Sequence, residues 1–193
     1  MKRISTLTAM AGAILLTLSL TACDDNDDGD GGANVETVPV TEYCKAAENW
    51  NTDNAAKEQA LIDLVNAQRA KGATCGNKGS FSASAPLTRH TGLDCAARVH
   101  TKDMADRDFF DHTNPDGQGP GERMKAAGVE SFGWGENIAA GNGEAQGTFD
   151  QWMSSDGHCA NFMNPNFTHI GMGYYEGGDW NHLWTATLMT GRE

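Results

Sequence analysis

The sequence lacks the short motifs that usually announce an enzyme. It has no Gly-x-Ser-x-Gly turn, no His-Glu-x-x-His helix and no phosphate-cradling glycine loop. It is also short of positive charge, with 14 Lys and Arg against 26 Asp and Glu and a net charge of −12. Such a surface repels nucleic acid and anionic head groups, so DNA or RNA is not an expected partner. No close Cys-x-x-Cys pair is present, which argues against a thiolate metal site. Beyond residue 22 no apolar run is long enough to span a membrane, and no internal repeat or second domain is visible.

What is present begins at the N-terminus. Lys2 and Arg3 precede an apolar stretch over residues 4–20, too short for a secure membrane span, which reads as a signal peptide. It closes on Leu20-Thr21-Ala22-Cys23, which resembles the bacterial lipoprotein processing signal. The resemblance implies cleavage before Cys23, lipidation of Cys23 and attachment to the lipid bilayer. Residues 1–22 are then the leader, 23–42 a flexible acidic tether and 43–193 a single domain. Asp24 after the lipidated cysteine resembles the signal that retains some Gram-negative lipoproteins at the periplasmic face of the inner membrane. In the tether, Asp24, Asn26, Asp28 and Gly29 fit the opening of a calcium loop, but Val35 stands where the loop needs glutamate. Beyond Cys23, Cys44, Cys75, Cys95 and Cys159 form an even set in an exported chain, which predicts two disulfides with three connectivities open.

Residues 55–71 predict the first helix, with Leu61, Leu64 and Val65 as its apolar stripe and Gly72 as its stop. Leu93, Ala96, Ala97, His100 and Met104 share one face of a second, with Thr91 and Asp94 suited to its start. His100 therefore reads as a packed core histidine. Short helices are expected over 121–127 and 144–153, and strands over 170–175 and 183–189 joined by a turn at Gly177-Gly178-Asp179. Helices first and strands late predict an α+β or layered α-β-α domain and not a parallel βαβ repeat.

Three polar side chains stand out, each in a compact, glycine-bounded segment: His112, Glu136 and His158. Each histidine offers a metal one neutral nitrogen, and Glu136 adds a ligand or a base for bound water. Without metal, Glu136 would orient an imidazole and raise its pKa. The plainer reading is a polar network that holds loops together. Cys159 beside His158 reads as a disulfide partner and not a nucleophile, and Ser154 and Ser155 read as helix-end residues.

Several segments in order resemble the CAP superfamily, also called the SCP/TAPS or cysteine-rich secretory protein family. They are Leu61-Ile62-Asp63-Leu64-Val65-Asn66-Ala67-Gln68-Arg69, Phe110-x-His112-Thr113, Gly135-Glu136-Asn137-Ile138-Ala139, the run from Trp152 through His158 to Asn161, and Phe167-Thr168-His169-Ile170-Gly171-Met172-Gly173. The resemblance implies a three-layer α-β-α sandwich with a central cleft holding two histidines, matched by His112 and His158, and a first glutamate, matched by Glu136. The second glutamate of many members falls at Ser155, so the tetrad is incomplete. The resemblance also implies the pairing Cys75–Cys159, which leaves Cys44–Cys95. Family associations with cell walls, lipid carriage, metal binding and hydrolysis imply a tethered binding module in the bacterial cell envelope. Its cleft would take zinc or another divalent cation, a cell-envelope component or a small apolar ligand. The alternative is a metal-assisted hydrolase of cell-envelope material or peptides, with Glu136 as the base. Structural support of the envelope is a third reading.

Overall fold

Helices begin readily where a side chain can take over the free N–H groups of the first turn, and that rule sets the starts of the two long helices. The computed structural model describes residues 41–191, and the leader, Cys23 and the acidic segment as far as residue 40 lie outside them. Helix α1 spans Thr52–Arg69, starting earlier than the apolar stripe suggests because Asn51 accepts from the N–H groups of Asp53 and Asn54 at 2.8 and 3.1 Å. It ends ahead of Gly72, whose φ of 80° is left-handed. Helix α2 spans Thr91–Asp106, and its cap is the His90 imidazole, whose Nδ1 accepts from Gly92 and Leu93. Asp94 is drawn elsewhere: it pairs with Arg89 at 2.8 Å and accepts from the Met172 N–H at 2.9 Å. Helices α3, Pro120–Ala126, and α4, Ala145–Met153, lie where short helices are expected, and α5, Asp156–Met163, follows α4 directly.

The strands are β1, Ala73–Thr74; β2, Ser80–Phe81; β3, Thr88–Arg89; β4, Trp134–Ala140; β5, His169–Glu176; and β6, His182–Met189. β1 and β2 form a small antiparallel pair. The main sheet has the order β3-β5-β6-β4, with β3 parallel to β5 and the other pairs antiparallel. Side chains alternate across it. Ile170, Met172 and Tyr174 of β5, with Trp184, Ala186 and Leu188 of β6, pack against Leu61 and Val65 of α1, Phe149 and Trp152 of α4 and Phe162 of α5. On the opposite face α2 lies so close that a Cβ on Gly171 would stand 2.1 Å from the Leu93 carbonyl carbon, and one on Gly173 would stand 2.6 Å from the Arg98 nitrogen. The result is a mixed α/β domain, a sheet flanked by helices on both faces, in the α-β-α arrangement expected. Among the described residues no helix is long and apolar enough to cross a membrane.

Several charges are buried inside these layers. Glu58, fully buried, pairs with Arg98 at 2.6 Å and Arg89 at 2.8 Å and accepts from the Tyr174 N–H. Arg69 donates to the carbonyls of Ala85, Phe162, Asn164 and Phe167, which pins the chain around α5 to α1. Buried charge survives only when its hydrogen-bonding groups are matched in this way. Disulfides join Cys44 to Cys95 and Cys75 to Cys159. Strand β4 is an edge of the sheet, but its outward carbonyls are capped: Asn161 donates to Glu136 O and the Trp152 indole to Ile138 O. Capping of this kind blunts an edge that would otherwise invite another strand.

Candidate functional site

The covered edge of β4 is where the site forms. Because side chains alternate along a strand, Glu136 and Ile138 turn to the layer that holds α2, while Asn137 turns toward α5. His112 comes from the loop between α2 and α3. The neighbouring Asp111 fixes that loop twice, accepting from the Thr113 N–H at 2.8 Å through its side chain and bonding His100 Nε2 at 3.0 Å through its carbonyl. His158 lies in the first turn of α5, for which Ser155 is the N-cap residue, and Cys159 beside it is bonded to Cys75. Ser154 and Ser155 are thus the residues between two helices.

The structure brings His112 and Glu136 into direct contact, with Nδ1 and Oε1 2.8 Å apart. His158 lines the same open cleft, of about 420 Å3, together with Lys78, Phe81 and Asn161. Glu136 is nearly buried and the His112 side chain about half exposed, at 2% and 47%. The remaining carboxylate oxygen of Glu136 accepts from Arg123 Nη2 at 2.6 Å. Hydrogen bonding to Glu136 raises the pKa of His112, against a smaller opposing effect of burial. Burial lowers that of His158, and the nearby His112 adds to the effect. The two imidazoles therefore differ in proton affinity, His112 holding a proton more tightly than His158. His100 is fully buried, as its place on the apolar face of α2 predicts, and burial brings its pKa down to about 4.

Sequence reasoning did not single out Arg123, Asn137 or Asn161. Asn137 is fully buried and donates to His158 O at 3.1 Å, while Asn161 donates to Asn137 Oδ1 at 2.8 Å, so the two amides tie the edge strand to α5. Arg123, 1% exposed, lies beside Met124 and one turn before Ala127 on the buried side of α3. An arginine among such neighbours was the signal available.

Two imidazoles face one cleft, but among the described residues no group of three or more His, Cys, Asp or Glu side chains is placed to hold a metal ion. Both oxygens of Glu136 are engaged, so the free donors are ring nitrogens of His112 and His158. These two side chains fall short of the donor set of a structural zinc centre.

A model of the CAP family, described as the cysteine-rich secretory protein family, matches residues 62–188. The uncharacterized protein YkwD of Bacillus subtilis (strain 168) is 36% identical over 149 residues, covering 74% of this chain and 53% of YkwD. Among solved structures, an extracellular protein containing a SCP domain from Bacillus anthracis str. Ames is similar, with a TM-score of 0.61 and 27% identity over 72% of this chain and 41% of that one. An outer surface protein from Borrelia burgdorferi shares the fold, with a TM-score of 0.60 and 18% identity over 72% of this chain and 96% of its own. The chain spans about half the length of YkwD and less than half that of the Bacillus anthracis protein.

Proposed function

The chain belongs to the cysteine-rich secretory protein (CAP) family, and from that premise we propose an extracytoplasmic binding module of the bacterial cell envelope. It uses the cleft beside His112, Glu136 and His158 and is tethered through lipidated Cys23. The observation that carries the reading is the pairing of His112 with Glu136 next to His158 in one open cleft. Two disulfides support a place outside the reducing cytoplasm. The ending Leu20-Thr21-Ala22-Cys23 supports the lipid anchor, and Asp24 supports retention at the inner membrane in a Gram-negative host.

His112 and His158 would hold zinc or another divalent cation, which when bound supplies a charge anchor for oxygen atoms of a ligand. The chain's own groups do the rest. Glu136 orients His112, Asn137 fixes the backbone of His158, and Phe81 and Lys78 offer an apolar wall and a cation to an envelope component or a small apolar ligand. The rival reading, hydrolysis with Glu136 as the base, needs a free carboxylate oxygen. Both are held, by His112 and by Arg123, and this favours binding over turnover.

Titration calorimetry with zinc chloride tests the reading. The wild-type protein is expected to bind, and His112→Ala and His158→Ala each to weaken binding by about tenfold or more. Unchanged affinity in both variants refutes the site. Turnover of a cell-envelope substrate lost in folded Glu136→Ala would instead establish the hydrolase.

A further inference from the structure

Arg123 is buried, and its bonds form a closed circuit with the two residues that define the cleft. Nη1 donates to the carbonyls of His112 and Gln118, each at 2.8 Å, and Nη2 donates to Glu136 Oε2 at 2.6 Å. Glu136 Oε1 in turn meets His112 Nδ1 at 2.8 Å. His112 is thus gripped at its backbone by Arg123 and at its ring by a carboxylate that Arg123 also holds. The circuit joins three parts of the chain, namely the loop after α2, helix α3 and edge strand β4.

The chemistry of these groups fixes the direction of every bond. A guanidinium only donates. A carboxylate paired with it offers only acceptor oxygens, so the atom facing Oε1 must carry the hydrogen. Nδ1 of His112 is that atom. In the neutral ring the lone pair then resides on Nε2, the nitrogen left unpaired on a side chain that lines the cleft. Burying an arginine at 1% exposure is costly unless its charge is paired, and Glu136 supplies that pair.

We propose that Arg123 is the positioning residue of this cleft: by holding Glu136 and the His112 backbone together, it selects the His112 tautomer whose Nε2 lone pair is offered to the bound cation. The inference rests on the reading of the cleft as a binding site and extends it. Glu136 orients and does not ligate, because Arg123 occupies the oxygen that His112 leaves free.

The test uses the full chain with 15N-labelled histidine, in the wild type and in Arg123→Lys and Arg123→Met, with folding checked by circular dichroism. Long-range 1H–15N correlation at a pH where His112 is neutral reports its tautomer, and a zinc titration against a chromophoric chelator reports affinity. The wild type is expected to show Nδ1 protonated and Nε2 bare. Both variants are expected to show mixed tautomers and zinc affinity lower by about tenfold, as for loss of an outer partner of a metal-binding histidine. Lysine keeps the charge but cannot reproduce the planar fork, so it remains informative if the methionine variant fails to fold. A folded variant with the wild-type tautomer and affinity overturns the proposal and leaves Arg123 a structural residue. If the wild type does not bind zinc, the metal reading fails, while the tautomer pattern still decides the role of Arg123.

Discussion

His100 illustrates how one residue can serve the site from inside the core. It is fully buried on α2, yet its Nε2 holds the Asp111 carbonyl and so sets the approach to His112. Burial brings its folded pKa to about 4, against 6.5 for the free side chain. Between those values the unfolded chain binds more protons than the folded one, so stability rises with pH. The contribution is complete above about pH 6.5 and drains away as pH falls toward 4. Its ceiling is roughly 3 kcal/mol. Urea unfolding at pH 7 and pH 4.5 should therefore show wild type losing more stability on acidification than His100→Gln. Equal losses would count against a neutral buried His100. The residue scale also marks a limit of sequence reading. His112, Glu136 and His158 stood out because polar side chains in glycine-bounded segments are conspicuous, whereas Arg123 sits in an ordinary short helix and gains its meaning only from strand β4 across the fold.

At the scale of elements, the approach of α2 to the sheet is governed by atoms that are missing. Gly171 and Gly173 face the backbone of α2, and any β-carbon there would overlap main-chain atoms of Leu93, Asp94, Ala97 or Arg98. Gly171→Ala should force α2 outward and cost about 3 kcal/mol, near the upper end for overpacking of a close contact. Thermal melting provides the measurement, and a Tm within a degree or so of wild type would show that the layers can part without cost. The same elements explain what was legible. Helix α1 and strands β5 and β6 carry clear periodicities, Leu61, Leu64 and Val65 at helical spacing and Ile170, Met172 and Tyr174 in alternation. Strand β4 carries none: its buried face includes Glu136, and Ile138 is its one β-branched residue. Its strand character comes from pairing with β6 along its whole length and from the Asn161 and Trp152 caps, both long-range and invisible to local pattern. Helix α5 is hidden for a related reason, since Gly157 and Asn161 weaken its local signal while Arg69 and Cys75 hold it in place from distant positions.

At the scale of the whole molecule, the question is how the domain is kept where its cleft can act. If Cys23 carries the lipid, the wild-type protein should partition into the detergent phase of a Triton X-114 extract and incorporate labelled palmitate. Cys23→Ser should do neither while retaining the same fold. Partitioning of the serine variant with the membrane fraction would show that something other than the lipid holds it there. A net charge of −12 makes a charge-based hold on an anionic bilayer implausible. The bridge between Cys75 and Cys159 has a consequence in time as well as in space. It ties the wall bearing Lys78 and Phe81 to the residue after His158, across a sequence separation of 84. Before oxidation, nothing covalent brings that wall to the second histidine. The wall bearing Lys78 and Phe81 is thus the part of the cleft whose position depends on the redox state of these two cysteines, while His158 keeps its tie to β4 through Asn137.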